Sequence, residues 1–176
     1  PIGATDITLW FLSQRVLPPA VVLVPFYLLL VALRLIDTWT GLILCYSTFN
    51  LAFVVVIMRD IFRDVSVEVE DAAKVEGATA WQVFWKIALP LSLDGLVVVA
   101  VLVMAFSWNE ALFASALASQ DAATFSALVL ASRSTRGVDF NLAGVNTVIG
   151  IVPPVILYFI VQRYLARGLS LGAVKG

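Results

Sequence analysis

Two groups of residues in this chain have types and spacings that can do chemistry. One is the run Asp71-Ala72-Ala73-Lys74-Val75-Glu76-Gly77, followed after nine residues by Ile87-Ala88-Leu89-Pro90. Its charges, small side chains and terminal glycine suit recognition rather than bond-making: a short helix that a partner backbone can approach closely. The other is Ser107, Asn109 and Glu110, set in an otherwise apolar stretch. A carboxylate, an amide and a hydroxyl there could hydrogen-bond a polyhydroxylated solute in transit, or could tie one membrane helix to another. The residues themselves leave both readings open. With 0 histidines and 1 cysteine, Cys45, a thiol–histidine pair, a disulfide framework and the usual zinc sites are excluded. The chain also has no Gly-x-x-x-x-Gly-Lys-Ser/Thr phosphate loop, so the usual ATP site must belong to another protein. Catalytic, cofactor-binding and metal-ligating residues are therefore not expected.

The elements that hold these groups belong in lipid. Apolar residues make up 61% of 176 positions, above the roughly 45–50% of soluble domains. The net charge of -1 gives no support for nucleic-acid binding. Uncharged windows cover 16–33, 38–58, 95–109 and 140–162, and apolar character continues past Glu110 to Ala118. A bilayer core takes about 20 helical residues. Four spans are thus expected, at about 16–34, 40–58, 93–118 and 142–162, in an all-α polytopic helix bundle. Barrel strands are excluded because no ten-residue alternation is present. Pro18, Pro19, Pro25, Pro153 and Pro154 are tolerable kinks in such a bundle.

Four spans place both ends and the 59–90 segment on one side. That side collects Arg15, Arg59, Arg63, Lys74, Lys86, Arg163, Arg167 and Lys175, against Arg34, Arg133 and Arg136 opposite. Under the positive-inside rule the 59–90 segment and both ends are cytoplasmic. Trp39 and Tyr158 fall near the proposed boundaries, where aromatic rings are favoured.

The 59–90 segment reads as two short helices. Ser66 is placed to cap the first, Glu70 and Lys74 stand four apart, and Gly77 supplies the left-handed backbone that ends it. Thr79 and Gln82 have capping-box spacing; Trp81, Phe84, Trp85 and Ala88 form an apolar face, and Pro90 is expected to stop the second helix. Physics alone allows either a gripping element or a plain amphipathic connector on the membrane surface.

Among the remaining polar groups, Ser47, Thr48, Asn50, Asn146 and Thr147 invite a choice between interhelical bonds and a pathway, and Gly144 and Gly150 are expected to permit close helix contact. The loop 119–141 carries Asp121, Arg133, Arg136 and Asp139 around the apolar stretch 125–131 and is either folded back or a solvated hairpin. Pro1 in place of Met, with no basic leader, predicts a piece or processed form of something longer.

Acidic-Ala-Ala, three residues, Gly, nine residues and Ile-x-Leu-Pro resembles the coupling motif of the membrane subunits of binding-protein-dependent ABC importers. Further landmarks are Ser13-Gln14-Arg15 with Pro18-Pro19, Leu35-Ile36-Asp37-Thr38, Thr48-Phe49-Asn50, Phe106-Ser107-Trp108-Asn109-Glu110, Gln162-Arg163-Tyr164 and Gly172-Ala173-Val174-Lys175-Gly176. Together they resemble the maltose-type carbohydrate permease, in order, across nearly the whole chain. The resemblance implies the type I importer permease fold, N-terminally incomplete because family members carry further N-terminal membrane helices. It implies an ATPase-coupling role for Asp71, Ala72, Ala73, Gly77, Ile87, Leu89 and Pro90, with ATP and Mg on the partner ATPase. The other implied partners are a second permease subunit, an extracytoplasmic solute-binding protein, a sugar or polyol, and the bacterial inner membrane. Asp71 replaces the family's more common Glu, Val65 a common Pro, and Glu76 a common Asp.

The alternative from another class is an ion-gradient-driven secondary transporter, for which paired mid-membrane carboxylates and an inverted repeat would be wanted. Glu110 stands alone and no repeat is visible. A membrane-embedded enzyme ranks third, for want of a base, metal cluster or nucleophile constellation.

Overall fold

In a computed structural model, residues 3, 9–11, 13, 18–118, 120–131, 133–134, 137–138 and 140–173 are described. Gln14, Arg15, Arg136, Asp139 and the final Val174-Lys175-Gly176, all named above, lie outside the described residues. The protein is built of helices: α1 (Pro19–Ala32), α2 (Trp39–Arg63), α3 (Val67–Val75), α4 (Ala80–Leu91), α5 (Leu93–Asn109), α6 (Leu112–Leu117), α7 (Phe125–Ala131) and α8 (Phe140–Ala173). A two-residue antiparallel ladder, Arg133–Ser134 with Gly137–Val138, follows α7.

Among the described residues, Trp39–Arg63 and Phe140–Tyr164 are long and apolar enough to cross a membrane, and α4 with α5 adds a third if the pair, bent by 70°, is one broken span. The expected spans differ from these helices in two places. Helix α1 has 14 residues, about 21 Å at 1.5 Å per residue, short of a bilayer core of about 30 Å. The stretch expected as one span over 93–118 is divided: α5 ends at Asn109, Glu110 is extended at φ -75°, ψ 115°, and α6 is a separate six-residue helix. The reason is local, since the Glu110 side chain captures the backbone N–H groups that a continuing helix would turn to its own carbonyls.

Helices α2 and α5 run antiparallel and touch along their length. Gly95 sits against Ile61, Phe53 and Phe106 meet edge to face at 5.1 Å, and Asn50 Nδ2 donates to Ser107 Oγ at 3.2 Å. Helix α6 packs its buried Phe113, Ala114 and Leu117 near the start of α2. There Phe113 meets Phe49 at 4.7 Å and Phe26 of α1 at 6.2 Å, around a core that includes Leu30, Leu42, Cys45 and Ala122. Helix α8 passes through Pro153 and Pro154 unbroken, with apolar residues such as Val148 and Phe159 exposed.

Candidate functional site

The segment that joins α2 to α5 is a pair of short helices at one end of the bundle. Helix α2 closes at Asp64, whose N–H reaches back to Asp60, Ile61 and Phe62 carbonyls. Ser66 occupies the N-cap position of α3, but its hydroxyl bonds the Glu68 carboxylate instead of accepting a backbone N–H, a correction to the expected cap. That hydroxyl holds the Glu68 carboxyl below its ordinary pKa. Glu68 and Glu70 in the first turn and Lys74 in the last complement the helix dipole.

Lys74 bonds Asp71 rather than Glu70. Its Nζ lies 2.8 Å from Asp71 Oδ1, and Asp71 raises the lysine pKa, first by that hydrogen bond and then by charge. Both groups are solvent-exposed, so water screens the pair and it contributes little to stability. No residue of α3 is buried, and Val67, Val69 and Val75 stand open beside the acidic side chains.

Gly77 ends α3 as its type predicts. At φ 89° it lets Gly77 N–H donate to Lys74 O and Ala78 N–H to Ala73 O, both at 3.0 Å, which is the paired bonding of a Schellman turn. A Cβ at Gly77 would meet nothing within 4 Å. Only the backbone angle demands glycine.

Thr79 and Gln82 form the full capping box. Pro90 does not stop the helix. Residues Phe84–Ala88 widen into a π turn, Leu89 N–H reaches Phe84 O, and the chain stays helical to Leu91. The wider turn makes room for a proline that has no N–H to give and whose ring crowds the carbonyl four residues back. The bend comes after it, at Ser92, whose Oγ is buried without a hydrogen-bond partner. Val83 and Ala88 of α4 are buried, Ile87 and Leu89 are half-buried, and Phe62 of α2 lies 5.8 Å from Phe84. The coupling candidates thus divide: Asp71, Ala72 and Gly77 are exposed, Ala73 is half-buried, and Ile87 and Leu89 lie against the bundle with Pro90 exposed beside them.

Midway along α2, where α5 ends, lies the polar group. Asn50 and Ser107 bond each other, as the interhelical reading expects. Asn109 turns back on its own helix, donating to Ala105 O at 2.8 Å; Thr48 and Thr147 do the same to Leu44 O and Ala143 O. Both Glu110 oxygens are engaged: Oε1 accepts Phe113 N–H at 3.0 Å and Oε2 accepts Ala114 N–H at 3.1 Å. Glu110 is therefore first a cap for α6.

Trp108 organises the neighbouring cleft of about 300 Å³, which it lines with Trp39, Ser107, Thr124 and Phe125. Its ring stacks on Phe125 at 6.1 Å, its Nε1 donates to Gly150 O at 3.2 Å, and Ser126 Oγ donates to its carbonyl. Of the two glycines expected at close contacts, Gly150 is one, with Phe125 Cε1 2.5 Å from where its Cβ would stand; Gly144 has nothing within 4 Å. Within the 119–141 loop, Phe125–Ala131 forms α7, whose Phe125 lies between Trp108 and Gly150.

Sequence reasoning gave no role to the Asp37 side chain. It accepts the N–H groups of Gln120, Asp121 and Ala122 at 3.1, 3.2 and 3.3 Å, while Asp37 N–H donates to Leu117 O at 2.8 Å. The only local signal was an Asp in a short turn between two apolar runs, and its partners lie more than 80 residues away.

The arrangement is thus an exposed acidic helix at one end of a bundle and a bonded polar layer midway along α2. Residues 7–171 match the family described as binding-protein-dependent transport system inner membrane component. The chain is 37% identical over 164 residues to a probable ABC transporter permease of Sinorhizobium fredii, covering 93% of this chain and 59% of that one. It is 36% identical over 148 residues to the trehalose transport system permease protein SugB of Mycobacterium tuberculosis, covering 82% and 54%. Against the arabinooligosaccharides transport system permease protein AraQ of Halalkalibacterium halodurans it is 32% identical over 161 residues, covering 91% and 57%. The chain spans little more than half the length of these relatives.

Proposed function

Because the chain belongs to the family of binding-protein-dependent transport system inner membrane components, whose members are membrane permease subunits and not enzymes, we propose that it forms part of the translocation pathway of an ATP-driven importer for a sugar or polyol. The trehalose and arabinooligosaccharide permeases among its relatives support a carbohydrate cargo. In this reading four spans cross the inner membrane, α1 and the α5–Glu110–α6 unit serving as the shorter two, with both ends of the chain and the 59–90 segment in the cytoplasm. A second permease subunit completes the pathway, a solute-binding protein delivers cargo outside, and two ATPase subunits carry ATP and Mg below.

The observation that carries the coupling role is α3 itself. It is a helix with no buried residue, fixed at its end by a Schellman turn, presenting Asp71 and three exposed valines to the surroundings. A partner cleft with a basic group for Asp71 and apolar walls for the valines fits that face. Movement of the docked helix passes through α4, which is held to the foot of α2 at Phe62–Phe84 and continues into α5. The ion-gradient alternative gains no support, since Glu110 already serves two backbone N–H groups.

The test uses the complete complex. Asp71→Lys or Gly77→Pro should abolish sugar uptake and uncouple ATPase stimulation while membrane insertion remains normal. Undiminished uptake in both variants would remove the proposal.

A further inference from the structure

Helix α4 carries two tryptophans that its own bundle does not cover, and beside them Phe84, which Phe62 covers in part. Trp81 is 69% exposed, Trp85 50% and Phe84 36%, and they touch one another at centroid distances of 5.5–6.1 Å. Val83 and Ala88 of the same helix are buried against the protein, so Ala88 does not share the exposure expected of one common face with the three rings. The axis of α4 is bent 70° from α5. Because α5 packs antiparallel along α2, a membrane-crossing helix, α4 lies closer to the membrane plane than to its normal. Its level is set by Phe84 against Phe62, in the last turn of α2, one turn past Met58, where the uncharged run of that span gives way to Arg59 and Asp60.

Charge divides the two short helices. From Ser66 to Glu76 the chain carries Glu68, Glu70, Asp71 and Glu76 against Lys74 alone, whereas from Ala78 to Leu93 its only charge is Lys86. An anionic lipid surface repels the first and accepts the second. Tryptophan favours the layer between headgroups and acyl chains, where its ring is apolar and its N–H stays wet, and lysine beside it can extend its ammonium to the phosphates.

We propose that α4 is an interfacial helix whose Trp81, Phe84 and Trp85 are set into the headgroup–acyl boundary of the bilayer, fixing the depth at which α3 is held in water. The proposal rests on the reading that the 59–90 segment lies at the membrane–water boundary. It makes lipid, and not a partner subunit, the cover of this face.

The test is nitroxide accessibility in the full chain, assembled with its subunits in nanodiscs of phosphatidylcholine with phosphatidylglycerol. Labels go at Trp81→Cys, Trp85→Cys and, for comparison, the exposed Asp121→Cys; Cys45 is fully buried. At Trp81 and Trp85 collision with oxygen should exceed collision with a nickel chelate by about threefold or more, as interfacial burial requires, and the order should reverse at Asp121. Nickel exceeding oxygen at 81 and 85 would show water there, and low collision with both would show a protein cover; either overturns the proposal. Should labelled variants assemble poorly, tryptophan quenching by phosphatidylcholine brominated near the headgroup serves instead, in the native chain and in Trp81→Phe/Trp85→Phe. The quenched emission should fall in the variant, and equal quenching in both refutes the contact. Lipid contact with failed uncoupling in Asp71→Lys would sink the coupling role alone, and the converse would sink this inference alone.

Discussion

The Asp37 carboxylate accepts the backbone N–H of Ala122, 85 positions later, at 3.3 Å, and takes the N–H groups of Gln120 and Asp121 as well. One short side chain thereby fixes the chain as it leaves α6, and the Asp37 N–H completes the clasp on Leu117 O. Asp37 itself sits at φ 56°, a conformation that Asp and Asn tolerate better than most residues. The clasp closes over the core of Leu30, Leu42, Cys45, Phe113 and Leu117.

Asp37→Ala removes an acceptor shared by three donors and places alanine in the left-handed region. The expected loss is about 2–4 kcal/mol, because unpaired N–H groups and backbone strain add. Asp37→Asn keeps one oxygen and the tolerated backbone, so its loss should be smaller. Thermal unfolding of the purified protein in detergent, followed by tryptophan emission, ranks the three chains. Equal midpoints for Asp37→Ala and the native chain would show the clasp to be idle.

At Gly77 the structure separates two reasons for glycine. The φ of 89° requires it, but no atom lies within 4 Å of a Cβ. Gly77→Asn should therefore cost less than about 1 kcal/mol, and Gly77→Val about 2 kcal/mol or more, since asparagine visits the left-handed region and a β-branched residue does not. Transport in the assembled complex should follow the same order. If valine matches asparagine, the turn is not what positions α3.

What the sequence disclosed here was local. The Thr79–Gln82 capping box and the Gly77 stop depend on neighbours three to five positions away, and both stand as spacing predicts. Lys74 chose Asp71 over Glu70, two acids on the same turn between which spacing alone decides poorly. Pro90 misled because a π turn can absorb a proline, and nothing in the residue types announces one. Glu110 looked like an intramembrane charge in a single span. It proved to break that span, because a side chain bonding N–H groups three and four residues on begins a new helix. The Asp37 clasp was invisible for the plainest reason, that its partners are distant in sequence.

Gly95 brings α5 close against Ile61 of α2 at the foot of the bundle: an added Cβ would stand 2.8 Å from two carbons of Ile61. Gly95→Ala should destabilise by about 1–3 kcal/mol through overpacking. Ile61→Ala alone opens a gap. The double variant should be more stable than the sum of the two losses, with a coupling of about 1 kcal/mol or more, because each change accommodates the other. Simple additivity in denaturant unfolding would mean that the two helices do not bear on each other there.

Gly150 and Gly144 give a paired comparison on α8. A methyl at Gly150 would enter the Phe125 ring, which stacks on Trp108, whereas one at Gly144 meets nothing. Gly150→Ala should shift Trp108 emission and lower stability by about 1–3 kcal/mol, and Gly144→Ala should do neither. Identical spectra for both would place α8 elsewhere relative to α7.

The proposed orientation rests on the distribution of basic residues, so it needs a test that ignores charge. Asp121 and Val75 are both exposed, at opposite ends of α2, a helix about 37 Å long. The native Cys45 is buried and should stay silent. Ala122, next to Asp121, has 0% exposure beneath the Asp37 clasp and would hide a label whichever side it faced. In intact cells that make the permease without its ATPase subunits, an impermeant maleimide should modify Asp121→Cys and leave Val75→Cys untouched until the membrane is opened. The opposite pattern would put α3 outside the cell, away from any ATPase, and the coupling role would fall with the topology.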